Sequence, residues 1–210
     1  MSRERPKLLH VIPRYLPQVG GAENDLAMWI KCTPQFDHVV AYCFDDGFNW
    51  YSTSAQEALL KSTTYVWSSA IVHRLSATNR CIAGGWSEPK PFMPQIGPMT
   101  QTAQRLSIEY QPQLSALANG ARAITITPCG CDFLTDAATK VAQRLQLPLA
   151  VIPNIHLRDD LSFSSTVLAA LAKAALIVCR TKVEEREIAK RIDENLPVTR
   201  VLPVFRSIPK

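Results

Sequence analysis

The sequence predicts an α/β fold: a three-layer domain with a mostly parallel sheet and helices on both faces. Two observations carry this. Short apolar runs rich in Val and Ile alternate along the chain with longer segments of helical periodicity, the pattern of strand–helix–strand crossovers. The runs are also apolar at successive positions rather than at every second one, as strands covered on both faces must be. We read residues 1–210 as a single domain of this kind.

The elements follow in order. Lys7–Ile12 (KLLHVI) is bounded by Pro6 and Pro13 and reads as a buried strand. Pro13–Gly21 is a loop, and Ala22–Lys31 a helix with Leu26, Trp29 and Ile30 on one face and Glu23 and Asp25 in the first turn. His38–Phe44 is the second strand, ended by the turn residues Asp45-Asp46-Gly47. A short helix is expected over Ser54–Lys61, and a third strand within Thr64–Val66 and Ile71–Leu75. Thr78–Pro98, with four prolines and three glycines, reads as an irregular excursion. Met99–Asn119 is helical but interrupted or ended near Pro112. The rest alternates: strand Ala123–Thr127, helix Asp136–Leu145, strand Leu149–Ile152, helix Ser164–Lys173, strand Leu176–Cys179, helix Val183–Ile192 and strand Val198–Val204.

Composition narrows the function classes. The net charge of +5 favours anionic partners, yet no block of five Lys or Arg occurs, so a nucleic-acid arm is not expected. No run approaches 18 apolar residues and no secretory signal is read at the start, so a cytoplasmic setting is the expectation. Of the six cysteines, Cys43 and Cys179 lie in apolar runs and read as reduced, buried thiols. Cys129-Gly130-Cys131 has neither the C-x-x-C spacing nor a nearby His, so no metal is expected.

In a parallel sheet, ligands bind beyond the C-terminal ends of the strands. The loops to inspect are therefore Pro13–Gly21, Asp45–Gly47, Pro128–Thr135, Pro153–Leu161 and Arg180–Lys182. In the first, Gly20-Gly21 stands between a strand and a helix, where the backbone can approach an anion at the helix N-terminus. It matches neither G-x-G-x-x-G nor the Walker pattern. Arg14 and Tyr15 are expected to face this cleft, whereas Asp132 and Asp136 read as caps of the following helix and Arg158, Asp159 and Asp160 as a solvated loop.

The wider strings resemble the N-terminal domain of family 4 (glycogen-synthase-like) glycosyltransferases of the GT-B fold. Lys7–Glu23 (KLLHVIPRYLPQVGGAE) resembles their opening strand, aromatic-proline loop and G-G-x-E. Leu145–His156 (LQLPLAVIPNIH) resembles their strand leading to P-H-G-H, and Ala174–Glu187 (AALIVCRTKVEERE) their strand followed by S-x-x-E-x-E. The resemblance implies a Rossmann-like half of a GT-B enzyme that moves a sugar from a nucleotide-sugar to an acceptor hydroxyl of a polysaccharide or lipid-linked glycan. It places Gly20 and Gly21 in the loop that approaches the donor diphosphate or the acceptor and Glu23 as the acid that caps or braces that loop, with Asn154 at the first histidine of P-H-G-H, His156 at the second, and Thr181 near the serine; Arg14 and Tyr15, read as facing the same cleft, join them as donor- or acceptor-binding candidates. It implies no cofactor and no metal. The nucleotide-sugar-binding C-terminal domain is absent from these 210 residues, which alone are expected to be inactive. Two other readings stay open: a stand-alone ligand-binding module, and a scaffold subunit of a split glycosyltransferase. Peripheral contact with an anionic membrane on its inner face is a further expectation. An apolar patch at the C-terminal edge of the sheet would favour the transferase readings.

Overall fold

The computed structural model describes residues 5–17, 20–44, 59, 61–78, 97–128, 130–155, 160–192 and 198–201. Its strands are β1 (Lys7–Val11), β2 (Asp37–Tyr42), β3 (Thr63–Trp67), β4 (Ala70–Arg74), β5 (Ala121–Ile126), β6 (Leu149–Val151), β7 (Leu176–Cys179) and β8 (Val198–Val201). The helices are α1 (Gly21–Cys32), α2 (Gln101–Ala118), α3 (Asp132–Arg144), α4 (Ser165–Ala172) and α5 (Lys182–Arg191), with a 3-10 turn over Asp160–Phe163.

The strands form one sheet in the order β3-β4-β2-β1-β5-β6-β7-β8. Every pairing is parallel except β3 with β4. Alternation along each strand builds two cores, because successive side chains leave a sheet on opposite faces. Val39 and Ala41 of β2 join Leu9, Ile124, Val151 and Ile177 under α2, α3, α4 and α5, whereas Val40 and Tyr42 join Ile12, Ala70 and Val72 under Leu26 and Ile30 of α1. The α/β Rossmann-like sheet with helices on both faces is thus present, and it follows from strands that are apolar at consecutive positions.

Several boundaries differ from the sequence reading. The third strand is two strands: β3 and β4 form an antiparallel hairpin, turning at Ser68 with φ of 54°. A serine in that conformation lacks the Asn-Gly signal that marks such turns. Helix α2 runs unbroken through Pro112. Pro112 is exposed, and the Ile108 carbonyl it leaves without an N–H lies on the same outward side, where Ile108 itself is 66% exposed, so water can satisfy the lost bond. Helix α3 starts at Asp132 rather than Asp136. Neither aspartate caps it: Cys131 holds the cap position, Asp132 lies in the first turn and accepts from Ser164 Oγ at 2.7 Å, and Asp136 Oδ2 accepts from Ser107 Oγ at 2.5 Å and Lys140 Nζ at 2.7 Å. Asp45–Gly47, most of Ser54–Lys61 and of Thr78–Pro98, Arg158, Asp159 and the end of Val198–Val204 lie outside the described residues.

Candidate functional site

The chain leaves β1 toward β2 and β4, and leaves β5 in the opposite direction toward β6, β7 and β8. Connections from two adjacent strands that depart to opposite faces open a crevice at the strands' C-terminal ends. Here the crevice is walled on one side by the segment after β1, which ends in α1, and on the other by the segments after β5, β6 and β7.

The base of the first segment is fixed by the sheet. Pro13 O accepts from Cys43 N at 3.2 Å and Phe44 N at 2.9 Å, and Thr127 N donates to Val11 O at 2.9 Å. Tyr65 of β3 donates its hydroxyl to Leu16 O. Tyr15 does not face a cleft. It is fully buried with Ile12, Leu26 and Ile30, its hydroxyl has no hydrogen-bond partner among the described residues, and burial pushes its pKa to about 12. An aromatic ring is worth more to the core beneath α1 than at an open rim.

Gly20 is the N-cap of α1, in extended backbone that any residue adopts. Its requirement is space. A Cβ there would overlap the carboxylate of Glu23, with Cδ at 3.0 Å and Oε1 at 3.3 Å. Glu23 is 4% exposed, and Arg14 Nε pairs with its Oε1 at 3.2 Å. Gly21 has open space around it. The three residues thus interlock: the loop arginine holds the helix-borne carboxylate, which fills the space above Gly20. Among the described residues no side chain caps the helix, whose N-terminal dipole favours an anion.

The far wall is built by Thr181 and Glu184. Thr181 Oγ1 caps α5, accepting from Glu184 N at 3.0 Å, so its hydroxyl is engaged in the helix start. The buried Glu184 accepts from Arg180 N at 2.6 Å and Ile155 N at 3.0 Å, tying the segment after β6 to the one after β7. Asn154 precedes Ile155 in the left-handed region, φ 50°, which asparagine tolerates better than most residues. Arg180 also pairs with Asp25 of α1, linking this wall to the first. His156 lies outside the described residues.

Gly20, Glu23 and Arg14 are therefore brought together, Thr181 and Asn154 lie on the opposite wall, and Tyr15 is withdrawn into the core. Glu184 and the Asp25–Arg180 pair were missed as site builders. Glu184 was legible, since Thr181-Lys182-Val183-Glu184 is a capping-box string. The ion pair joins residues whose nearness only the fold creates.

A separate buried network was also missed. His10 Nδ1 lies 2.7 Å from Thr125 Oγ1, His10 Nε2 lies 2.9 Å from His38 Nδ1, and His38 Nε2 lies 2.9 Å from Thr33 O. The Thr33 carbonyl only accepts, so His38 carries its proton on Nε2. His10 Nε2–H then donates to His38 Nδ1, and Thr125 donates to His10 Nδ1. Burial, with the nearby His38 adding to it, lowers the His10 pKa to about 3. His10 is thus a neutral member of a hydrogen-bonded chain tying β1, β2 and β5 to the end of α1.

Cys43, Cys131 and Cys179 are free and buried. Among the described residues, no three His, Cys, Asp or Glu converge as a metal site, and no helix is long and apolar enough to cross a membrane. The one exposed large apolar side chain at the crevice rim among them is Val183 of α5, at 51%, rather than a patch.

The fold is that of one Rossmann-like half of the GT-B architecture. Solved structures that match it include Phytolacca americana UGT2 complexed with UDP-2-fluoro-glucose and pterostilbene, at 14% identity and a TM-score of 0.57, covering 99% of this chain and 56% of that one. Arabidopsis thaliana UGT89C1 complexed with UDP-L-rhamnose matches at 16% identity and 0.53, covering 96% and 49%. The UDP-forming α,α-trehalose-phosphate synthase of Burkholderia xenovorans in complex with glucose-6-phosphate matches at 13% identity and 0.53, covering 87% and 42%. The chain spans about half the length of these structures. No protein-family model and no curated protein matches the sequence.

Proposed function

We propose that this chain is the N-terminal, acceptor-side half of a two-domain glycosyltransferase that moves a sugar from a nucleotide-sugar to a hydroxyl of a polysaccharide or lipid-linked glycan. Family 4 is the branch that its sequence strings resemble. The observation that carries the reading is the crevice between β1 and β5, walled by a helix N-terminus that no described side chain caps, in a sheet that matches halves of sugar-transferring enzymes along nearly its whole length. The donor would be held by a C-terminal domain of a longer protein or by a partner subunit. This half alone is then inactive.

The roles assigned to its residues follow from where they stand. Arg14, partly exposed and paired with Glu23, would set the charge at the mouth, and the α1 N-terminus would receive an anionic group of donor or acceptor. Catalysis in such an enzyme rests on alignment and on stabilising the diphosphate that leaves, tasks that backbone N–H groups and cations perform without a metal. The surplus of cations, net +5, supports peripheral contact with an anionic membrane, which flotation with anionic vesicles at low salt tests directly.

Isothermal titration with UDP, GDP and their sugar conjugates, on this chain and on a longer product containing it, tests the division of labour. Weak or absent binding here beside clear binding by the longer protein supports the proposal. Tight binding by the 210 residues alone would reverse it in favour of a stand-alone ligand-binding module.

A further inference from the structure

We propose that Asn119-Gly120, the exposed turn between α2 and β5, is a modification site that converts spontaneously to isoaspartate, with Lys7 of β1 directing the outcome. Asn119 is the C-cap of α2, Gly120 follows it at φ 73°, and both are exposed. This is the one Asn-Gly step in the 210 residues.

The reactivity begins with the glycine. The main-chain nitrogen after an asparagine lies within reach of the side-chain amide carbon, and a Cβ on that following residue is what ordinarily hinders the approach. Gly120 has none, the space beside it is open, and its N–H donates to no described residue. Attack needs the peptide plane to swing from the ψ of 123° at Asn119, and glycine resists such a swing least. The Gly120 nitrogen loses its proton and bonds to Asn119 Cγ, the Cγ–Nδ2 bond breaks, and the side-chain nitrogen leaves as ammonia. A cyclic imide remains, closed through Cγ and the main-chain carbonyl carbon of Asn119. Water opens it at one carbon or the other. Opening at Cγ gives aspartate, and opening at the main-chain carbon gives isoaspartate.

Lys7 favours the second. Its Nζ donates to the main-chain carbonyl oxygen of Asn119, the oxygen on which negative charge gathers when water adds to that carbon. A cation beside a developing oxyanion lowers the barrier to the addition. The bond that then breaks is the original peptide bond to Gly120, so the chain continues through Cγ and the released α-carboxylate lies beside Lys7. The link from α2 to β5 grows by a methylene. The strand can absorb it, because Lys7 pairs with Ala121 and Leu8 with Ala123, a register shift that already skips Arg122. Lys7 and Ala121 begin their strands, whereas the β1–β5 crevice lies at the strands' C-terminal ends, so the change leaves the crevice intact.

The experiment incubates folded wild-type chain, Lys7→Met and Asn119→Gln in mildly alkaline buffer, beside wild-type chain unfolded in urea, with thermal melts to confirm that each variant is folded. Trypsin releases Leu106–Arg122, in which Asn119 is the one asparagine, and chromatography with mass spectrometry separates its isoaspartyl and aspartyl forms. The expected result is conversion of this peptide in wild type and Lys7→Met and none in Asn119→Gln. The isoaspartyl-to-aspartyl ratio is expected to be higher in folded wild type than in urea, and to fall to the urea value in Lys7→Met. A folded wild-type peptide that stays unchanged while the unfolded chain converts overturns the site. A mass gain that persists in Asn119→Gln assigns the change to a glutamine of the same peptide and overturns it too. An equal ratio in folded wild type and Lys7→Met overturns the direction by Lys7.

Discussion

Glu23 fills the space that a side chain on Gly20 would need, and Arg14 holds it there at 3.2 Å. The two neighbouring glycines therefore respond differently to alanine. Gly20→Ala displaces a buried carboxylate from its cation and is expected to cost about 1–3 kcal/mol, within the range for overpacking. Gly21→Ala meets nothing within 4 Å at the start of a helix, and is expected to be neutral or to stabilise by about 0.5–1 kcal/mol. Urea denaturation of the two variants checks the contrast, and equal destabilisation would refute the interlock.

Glu184 carries a second prediction. Its carboxylate is the acceptor for two backbone N–H groups, those of Ile155 and Arg180. Glu184→Ala leaves both without it, at an expected cost of about 2–4 kcal/mol. Glu184→Gln keeps the shape but turns one oxygen into a donor facing a donor, so it should recover only part of the loss. Full recovery by glutamine would show that the side chain acts by packing alone.

The His10–His38 pair makes stability depend on acid. The folded-state pKa of His10, about 3, lies below the ordinary value of 6.5, so between these values the unfolded chain binds a proton that the folded chain refuses. Stability contributed by the neutral ring is present above about pH 6.5 and is lost as the pH falls toward 3. From pH 6.5 to 5 the expected loss from this group is ~2 kcal/mol. Titration of the imidazole carbons by NMR is the measurement, and a His10 ring that protonates near pH 6 in the folded protein contradicts the network.

Pro112 is expected to be a tolerated fault in α2. Replacing it with alanine restores a helical hydrogen bond at an exposed position, offset in part by greater freedom of the unfolded chain. Pro112→Ala should raise stability by about 1–2 kcal/mol. A melting temperature that falls would mean the proline meets a need the helix geometry does not reveal.

Much of the architecture was legible because the signals were local. Consecutive apolar runs such as Val39–Tyr42 report burial on both faces, and Gly20-Gly21 marks the strand-to-helix turn. The hairpin at Ser68 was not legible, since its turn depends on a conformation that serine rarely takes. The start of α3 was hidden because Cys131 gives no cap signal and Cys129-Gly130-Cys131 reads as loop. Within the candidate site, Glu23 announced itself by its place after Gly-Gly, whereas Tyr15 looked like a rim residue because nothing nearby in sequence tells that α1 will lie over it. His10 and His38 were invisible as a pair for a simpler reason: one-letter strings do not say which strands become neighbours.

The place of β1 also constrains the order in which the protein is made. Leu9 pairs with Val39 on one side and with Ile124 on the other. During synthesis the first half-sheet can assemble as soon as β2 has left the ribosome, but the opposite flank of β1 stays bare until β5 emerges far later. For that interval the nascent chain carries an open apolar strand flank at what will become its centre, and its safe passage depends on the rate of elongation or on a chaperone that occupies the gap.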